Sequence, residues 1–423
     1  MKQYSEYKDS GVKWIGEIPS LWSTTRIKNI ATFNPSKTKE NKFIVGYAPM
    51  ECVRNGNIEA REIEISKISS GLTYFEEGDL VVAKVTPCFE NGNIAIARNL
   101  KNGCAYGSSE LFVFRCDKIV DKYLFFYMQD ERFKHKCCST MTGTGGLKRV
   151  SSEFIRNAYI TIPSSEEQQS IVNYLDTKVS KIDNYIATAE KKIAALDELK
   201  QVTIADAVTH GINPNAPMKD SGSPWIGMAP EHWARVRYKD ILNIVDEKVG
   251  KRNDLILLSL TKKGVIVRDL SEGKGKFPKD YESYKVVNPN NIILCLFDVD
   301  ETPRTVGVSH NKGMITGAYD IFEIKNAKLE YIYYLYLSID DKKGFKSLYK
   351  GLRKVIPLPS FLSAYINLPP LSEQNEIVAY INRKVTQIDK VKASELAQIE
   401  KLKEYKQRLI SDVVTGKVKV IND

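Results

Sequence analysis

Two stretches of the chain carry apolar side chains at spacings of three and four for longer than a single globular core requires. The first aligns Ile171, Leu175, Val179, Ile182, Ile186, Ala189, Ile193 and Leu196, and the second aligns Ile377, Ile381, Val385, Ile388, Ile399 and Leu402. This is the period of a helix with one covered face, and sustained over such a length it describes a coiled-coil seam. Lys392 and Glu395 interrupt the second stripe. Neither run contains Gly or Pro, while Pro163 and Pro369 precede Ser/Glu-rich first turns that suit a helix start. The spacing predicts helices over 166–211 and 372–416. At about 1.5 Å per residue each reaches roughly 66 Å, more than the diameter of a domain of this size, so each needs a partner and the other is the nearest candidate. Outside these runs the apolar segments are short. Those at 79–85, 111–115 and 291–297 are β-branched or aromatic, bounded by turn residues, and predict strands; 123–133 and 331–338 predict short helices.

The pattern is written twice. KDSGVKWIGEIPSLWSTTRIKNI at 8–30 is answered by KDSGSPWIGMAPEHWARVRYKDI at 219–241, with Lys8, Asp9, Ser10, Gly11, Trp14, Ile15, Gly16, Pro19, Trp22, Arg26, Lys28 and Ile30 each recurring 211 positions later. IPSSEEQQSIVNYLDTKVSKID at 162–183 is answered by LPPLSEQNEIVAYINRKVTQID at 368–389, now offset by 206. Between these blocks the match fades, but GLKRV at 146–150 answers GLRKV at 351–355. The chain is a tandem duplication, and each half runs from a Trp- and Gly-containing start through a variable middle to a long helix. The expected architecture is α+β: two pseudo-symmetric mixed α/β domains, 1–165 and 212–371, separated by two long antiparallel coiled-coil helices, with a tail at 417–423. Antiparallel pairing would relate the domains by a pseudo two-fold axis, which matches the local dyad of duplex DNA. Trp14, Trp22, Trp225 and Trp233 sit in Gly- and Pro-defined settings rather than basic ones and are expected to pack the start of each domain.

At 423 residues the chain is long enough for at least two cores. It has no apolar run long enough to span a bilayer and no secretory signal, so no membrane partner and a cytoplasmic location are expected. Seven cysteines without paired spacing suggest reduced thiols. The net charge of +10 allows nucleic acid as a partner. Its distribution says more: the excess is +5 over 1–165 and +6 over 212–371, whereas 166–211 carries −3. Cations are thus concentrated on the two domains, where they would serve either to meet phosphate or simply as a solvated surface, and not on the first spacer.

Catalytic chemistry is hard to find. There is neither a G-x-x-x-x-G-K-[ST] phosphate loop nor a G-x-G-x-x-G. The Asn-Pro dipeptides at Asn34, Asn213 and Asn288 are followed by Ser36, Asn215 and Asn290, not by the residues of an adenine-stacking tetrapeptide. His135, Cys137 and Cys138 lack a second ligand pair, and Asp298 and Asp300 read as a solvated strand end, so no metal and no catalytic residue is expected. Two segments invite a binding role. GTGGLKR at 143–149 joins glycines, which let backbone approach a phosphate, to two cations, and KGLRK at 350–354 repeats the idea. Thr144, Gly145, Gly146, Lys148, Arg149, Lys350, Gly351, Arg353 and Lys354 are therefore candidate DNA contacts.

The duplicated SGVKWIGEIPSLW and SGSPWIGMAPEHW, with IPSSEEQQSIV and LPPLSEQNEIV, resemble the specificity subunit of type I restriction-modification enzymes over the whole chain. The resemblance implies two target recognition domains, each reading half of a bipartite, asymmetric sequence of double-stranded DNA. It adds Lys84 and Thr86 to the DNA-contact candidates. It also implies that the helices dock two methyltransferase subunits, with Ile171, Leu175, Val179, Ile182, Ile377, Ile381, Val385 and Ile388 as partner-binding positions. This chain itself would hold no cofactor. S-adenosylmethionine would sit on the methyltransferase subunits, and ATP and Mg on any nuclease/translocase subunits that join. The competing expectation is a coiled-coil scaffold that joins proteins without binding DNA.

Overall fold

The computed structural model describes residues 3–37, 43–54, 56–144, 146–223, 225–252, 254–268, 281–350 and 354–420. The chain divides into two compact units, Met1–Ala189 with Leu396–Asp423, and Glu190–Glu395. The long helix Ser165–His210 begins in the first unit and ends in the second, and Leu371–Val414 does the reverse. Each unit therefore combines the body of one repeat, the start of that repeat's helix and the end of the other's.

In the first unit a four-stranded antiparallel sheet has the order Ile94–Ile96, Leu80–Ala83, Leu111–Cys116, Ala31–Phe33. All four side chains of Leu80–Ala83 are buried. Leu80 and Val82 face the core that includes Phe112, Phe114, Tyr123 and the long helices, while Val81 and Ala83 join Phe75, Ala105 and Val113 on the other face. A strand covered on both sides has no polar face, which is why this segment reads as continuously apolar. The second core is closed by a sheet of order Arg61–Glu64, Ile44–Ala48, Cys104–Gly107, Thr73–Glu76, whose central pair is parallel. The single helix expected over 123–133 is corrected to two, Asp121–Tyr127 and Glu131–Cys138. The break is chemical: the Asp130 carboxylate accepts the Arg132 amide at 3.0 Å and caps the second helix.

The second unit repeats the central sheet strand for strand, Val306–Val308, Ile292–Leu294, Asp320–Ile324, Leu242–Val245. The flanking pairs also recur. Ser23–Arg26 with Tyr159–Ile162 is matched by Ala234–Arg237 with Tyr365–Leu368, and the hairpin Tyr7–Asp9/Glu17–Pro19 by Met218–Asp220/Met228–Pro230. What differs is the second layer. In place of a continuous four-stranded sheet, the described residues form two antiparallel pairs, Leu258–Thr261 with Gly264–Val267 and Lys285–Val287 with Gly313–Ile315, joined by the parallel bridge Leu257–Met314.

Within each unit the helix segments run antiparallel. In the first, Asp183 and Lys406 pair at 2.7 Å beside a core of Ile171, Leu175, Ile182, Leu409, Ile410 and Val413. In the second, Asp389 and Lys200, each 206 positions from its counterpart, pair at 2.8 Å. The interruption of the apolar stripe is explained there too, since Lys392 reaches Asp197 at 2.6 Å and Glu395 receives Lys192 at 2.5 Å.

The repeated blocks are anchors for these helices. Trp22 Nε1 donates to Glu167 at 2.9 Å and Trp233 Nε1 to Glu373 at 3.1 Å, both rings being buried. The next residues, Gln168 and Gln374, accept the amides of Val120 and Lys328 and donate to the carbonyls of Pro163 and Pro369. At the far ends Tyr123 donates to Val414 O at 3.1 Å, and Tyr331 to Val208 O at 3.0 Å, supplying donors to carbonyls that the helix cannot satisfy internally. Trp14 packs on Phe133 and Trp225 on Phe345. Just past the second helix Tyr7 donates to Gly416 O at 3.2 Å, and Tyr4, Val418 and Val420 pack against the first unit's core. Among the described residues no helix is long and apolar enough to cross a membrane.

Candidate nucleic-acid interface

The glycine-rich loop of the first unit is tied to the end of Leu80–Ala83 by backbone and side chain together. Thr86 N donates to Lys148 O at 2.9 Å and Val150 N to Lys84 O at 2.9 Å. The buried Thr86 hydroxyl donates to Gly146 O at 2.8 Å and accepts the Lys148 amide at 3.0 Å. Thr86 is thus the buried staple under the loop, while Thr144, Gly146, Lys148 and Arg149 are exposed above it. The tight return of the loop needs glycine at 143: φ is +144°, and a Cβ would lie 2.3 Å from Leu147 O. Lys84, half-buried, gives its ammonium to Ser109 O at 2.7 Å and stands over the Phe112 ring. Arg149 meets Glu110 bidentately, Nε to Oε2 at 2.8 Å and Nη2 to Oε1 at 2.9 Å. Those hydrogen bonds hold the Glu110 carboxyl below the usual carboxylate range. Beside the fork opens a cleft of about 880 Å³, lined by Arg26, Thr140, Thr142, Arg149, Ser151 and Asn157 among others.

The second unit builds the same staple from other side chains. Asp298 N donates to Lys354 O at 2.7 Å and Ile356 N to Leu296 O at 2.7 Å, repeating the ladder of Thr86 and Val150. The bridges Val85–Arg149 and Phe297–Val355 are equivalent as well. Structurally, Lys148 therefore matches Lys354 and Arg149 matches Val355, an offset of 206. The sequence match of GLKRV with GLRKV is out of register by one residue and is corrected here. Lys354 is gripped by Glu301 and by Asp300 at 3.3 Å, which pushes its ammonium pKa up. Asp300 also accepts from Tyr349 at 2.9 Å, and this hydrogen bond, with that of Lys354, draws its carboxyl down. Lys350 is exposed. Gly145, Gly351 and Arg353 lie outside the described residues.

The sequence identified the loops but not their acidic partners. Glu110 and Glu301 carry no local signal, because each reaches its cation from a distant part of the chain. For the eight helix positions the expectation is corrected. Ile171, Leu175, Ile182, Ile377, Ile381 and Ile388 are buried, and Val179 and Val385 pack against their own units' cores. The repulsion of these side chains by water is already satisfied inside the chain, so a protein partner would have to use other faces of the helices. Cys137 is buried in the first core, and burial pushes its thiol pKa up, away from the thiolate a metal needs. No group of three His, Cys, Asp or Glu residues is arranged for a metal among the described residues.

Comparison with known proteins bears on what such a duplicated framework is. Residues 19–197 match the type I restriction modification DNA specificity domain. The specificity subunit of the Escherichia coli type I restriction enzyme EcoAI is 31% identical over 250 residues, 57% of this chain and 40% of that protein. The chain thus spans about 40% of the length of that relative and of the similar EcoEI subunit. The putative MjaX specificity subunit of Methanocaldococcus jannaschii is 24% identical with 98% of both chains covered. Among solved structures, one from work on complex assembly and conformational transition of the type I R-M system superposes with a TM-score of 0.72 at 16% identity, covering 95% of this chain and 99% of that one. The HsdS subunit of Thermoanaerobacter tengcongensis gives a TM-score of 0.53 at 18% identity, covering 95% and 98%. These two share the fold. The duplicated sheet and the paired helices thus accompany a match of residues 19–197 to the type I restriction modification DNA specificity domain, and the chain is similar to type I restriction enzyme specificity subunits.

Proposed function

We propose that this chain is the non-catalytic DNA-recognition subunit of a type I restriction-modification complex, working in the cytoplasm, with each unit reading one half of a bipartite and asymmetric target. The observation that carries the reading is a constant frame with different side chains upon it. The same central sheet and the same loop-to-strand staple occur in both units, yet one presents Lys148 and Arg149 and the other Lys354 and Val355. Identical scaffolds with different exposed residues suit two different half-sites, because base edges are discriminated by the side chains that reach them. Lys84, Lys148, Arg149, Lys350 and Lys354 are the candidate contacts, with Thr86 as their support. Adenine methylation would be carried out by two methyltransferase subunits holding S-adenosylmethionine, and cleavage by nuclease/translocase subunits using ATP and Mg.

The test is methylation sequencing of DNA from cells expressing this chain with its neighbouring methyltransferase, compared with the methyltransferase alone. A mark at one two-part motif, present only with this chain and altered in one half when the 31–158 segment is exchanged, is the expected result. A folded complex that leaves no motif-dependent mark would instead favour a coiled-coil scaffold.

A further inference from the structure

The contact between Glu110 and Arg149 uses one edge of the guanidinium and leaves the other. Glu110 takes the Nε and one Nη2 proton. The remaining edge, formed by Nη1 and the second Nη2 proton, makes no hydrogen bond among the described residues, and the Arg149 side chain is 47% exposed. That free edge offers two parallel donors on one plane. The matching partner in duplex DNA is guanine, whose O6 and N7 are two adjacent acceptors on the major-groove edge; adenine places a donor beside its N7, and cytosine and thymine offer no such pair. A phosphate could also take the fork, but a phosphate contact gains nothing from fixing the plane of the donor, whereas a base contact does.

The plane here is fixed at three levels. The bidentate grip of Glu110 removes rotation of the guanidinium. The backbone beneath is pinned by the Val85–Arg149 bridge and by the Thr86 hydroxyl, which ties both Gly146 and Lys148. Glu110, in turn, ends the turn that leads into Leu111–Cys116, and the Lys84 amide donates to its carbonyl at 3.0 Å, continuing the central sheet. Fixing a donor pair before binding lowers the ordering cost of recognition. The lowered carboxyl pKa of Glu110 means that the grip is charged at neutral pH.

From this geometry, and resting on the DNA-binding reading above, we propose that Arg149 reads one guanine in the half-site of the first unit and that Glu110 is the positioning residue that aims it. The second unit has no equivalent, since the matching position is Val355, 43% exposed and without a donor. The demand for guanine at this place is therefore confined to one half of the target.

The experiment is selection and sequencing of duplexes from a random library by the full chain in complex with its methyltransferase, for wild type, Arg149→Lys and Glu110→Gln. Arg149→Lys keeps the charge and loses the fork; Glu110→Gln keeps the Arg and loses the grip. Both are expected to weaken the preference for guanine at a single position of one half-site by about 5- to 150-fold. The other half-site and the salt dependence of binding should be unchanged, and both variants should remain folded at the assay temperature, with Glu110→Gln slightly less stable than wild type. A wild-type complex that selects a two-part motif, with Arg149→Lys leaving every position as it was, would overturn the guanine assignment while leaving the DNA-binding reading intact. So would an equal loss at all positions, which is the signature of a phosphate contact. Selection of no motif by the wild-type complex would sink the DNA-binding reading itself and the assignment with it.

Discussion

Single residues carry several of the decisive contacts, and three positions make stability predictions. Gly416 follows the second long helix with φ of +74°, and a Cβ there would meet Pro19 Cδ at 2.3 Å with the buried Trp22 ring close behind. Gly11 has a similar φ of +70° but open space around it. Gly11→Ala should cost about 1–2 kcal/mol from backbone strain alone. Gly416→Ala should cost more, because the proline must also move, and thermal unfolding of the two variants side by side measures the difference. Glu110 gives a pH signature. Its folded pKa is lowered, so the stability from its contact with Arg149 is present above the unfolded value of about 4.3 and is lost as pH falls through the folded one. Glu110→Gln should therefore lower the denaturant midpoint at neutral pH and converge on wild type in acid. At this scale the sequence was informative about residues that recur, such as Trp22 and Trp233 with Glu167 and Glu373. It was silent about pairs such as Glu110 and Arg149, where partners 39 positions apart meet only through strand pairing.

Among the elements, the long helices were legible because a covered helix face must repeat every three or four residues whatever it packs against. The apparent fault at Lys392 and Glu395 was legible as a fault, but its cause was not, since the partners Asp197 and Lys192 belong to the other helix. The distinction can be measured. Ile381→Ala, at a fully buried position, should cost about 2–5 kcal/mol, while Lys392→Ala, at a partly exposed ion pair, should cost under about 1 kcal/mol. Urea titration of each variant gives the comparison, and similar losses for both would mean that the ion pairs, not the apolar stripe, hold this segment. Short elements were harder to read. The segment 123–133 has a helical apolar pattern throughout, and only the Asp130 cap shows where one helix stops and the next begins. The one-residue slip between GLKRV and GLRKV had the same origin: basic residues in a loop constrain its register weakly, whereas the staple to the sheet sets it.

At the scale of the whole molecule the tandem repeat was plain in the sequence, but the way the units share the helices was not, because no local pattern says that Tyr123 will supply a donor to Val414, or Tyr331 to Val208. Each unit takes one helix start and one helix end, so neither repeat is a self-sufficient half. The segment 211–217 carries the chain from the end of the first helix to the hairpin Met218–Asp220. In the first unit the same place is bridged without a covalent bond, by Tyr7 donating to Gly416 O and by Tyr4, Val418 and Val420 lying on one core. The two connections occupy matching places in their units, one covalent and one not. A chain opened within 212–216 and joined by a short linker from 420 to 4 would exchange them, and it should fold with the same secondary structure and, on the function proposed here, mark the same motif.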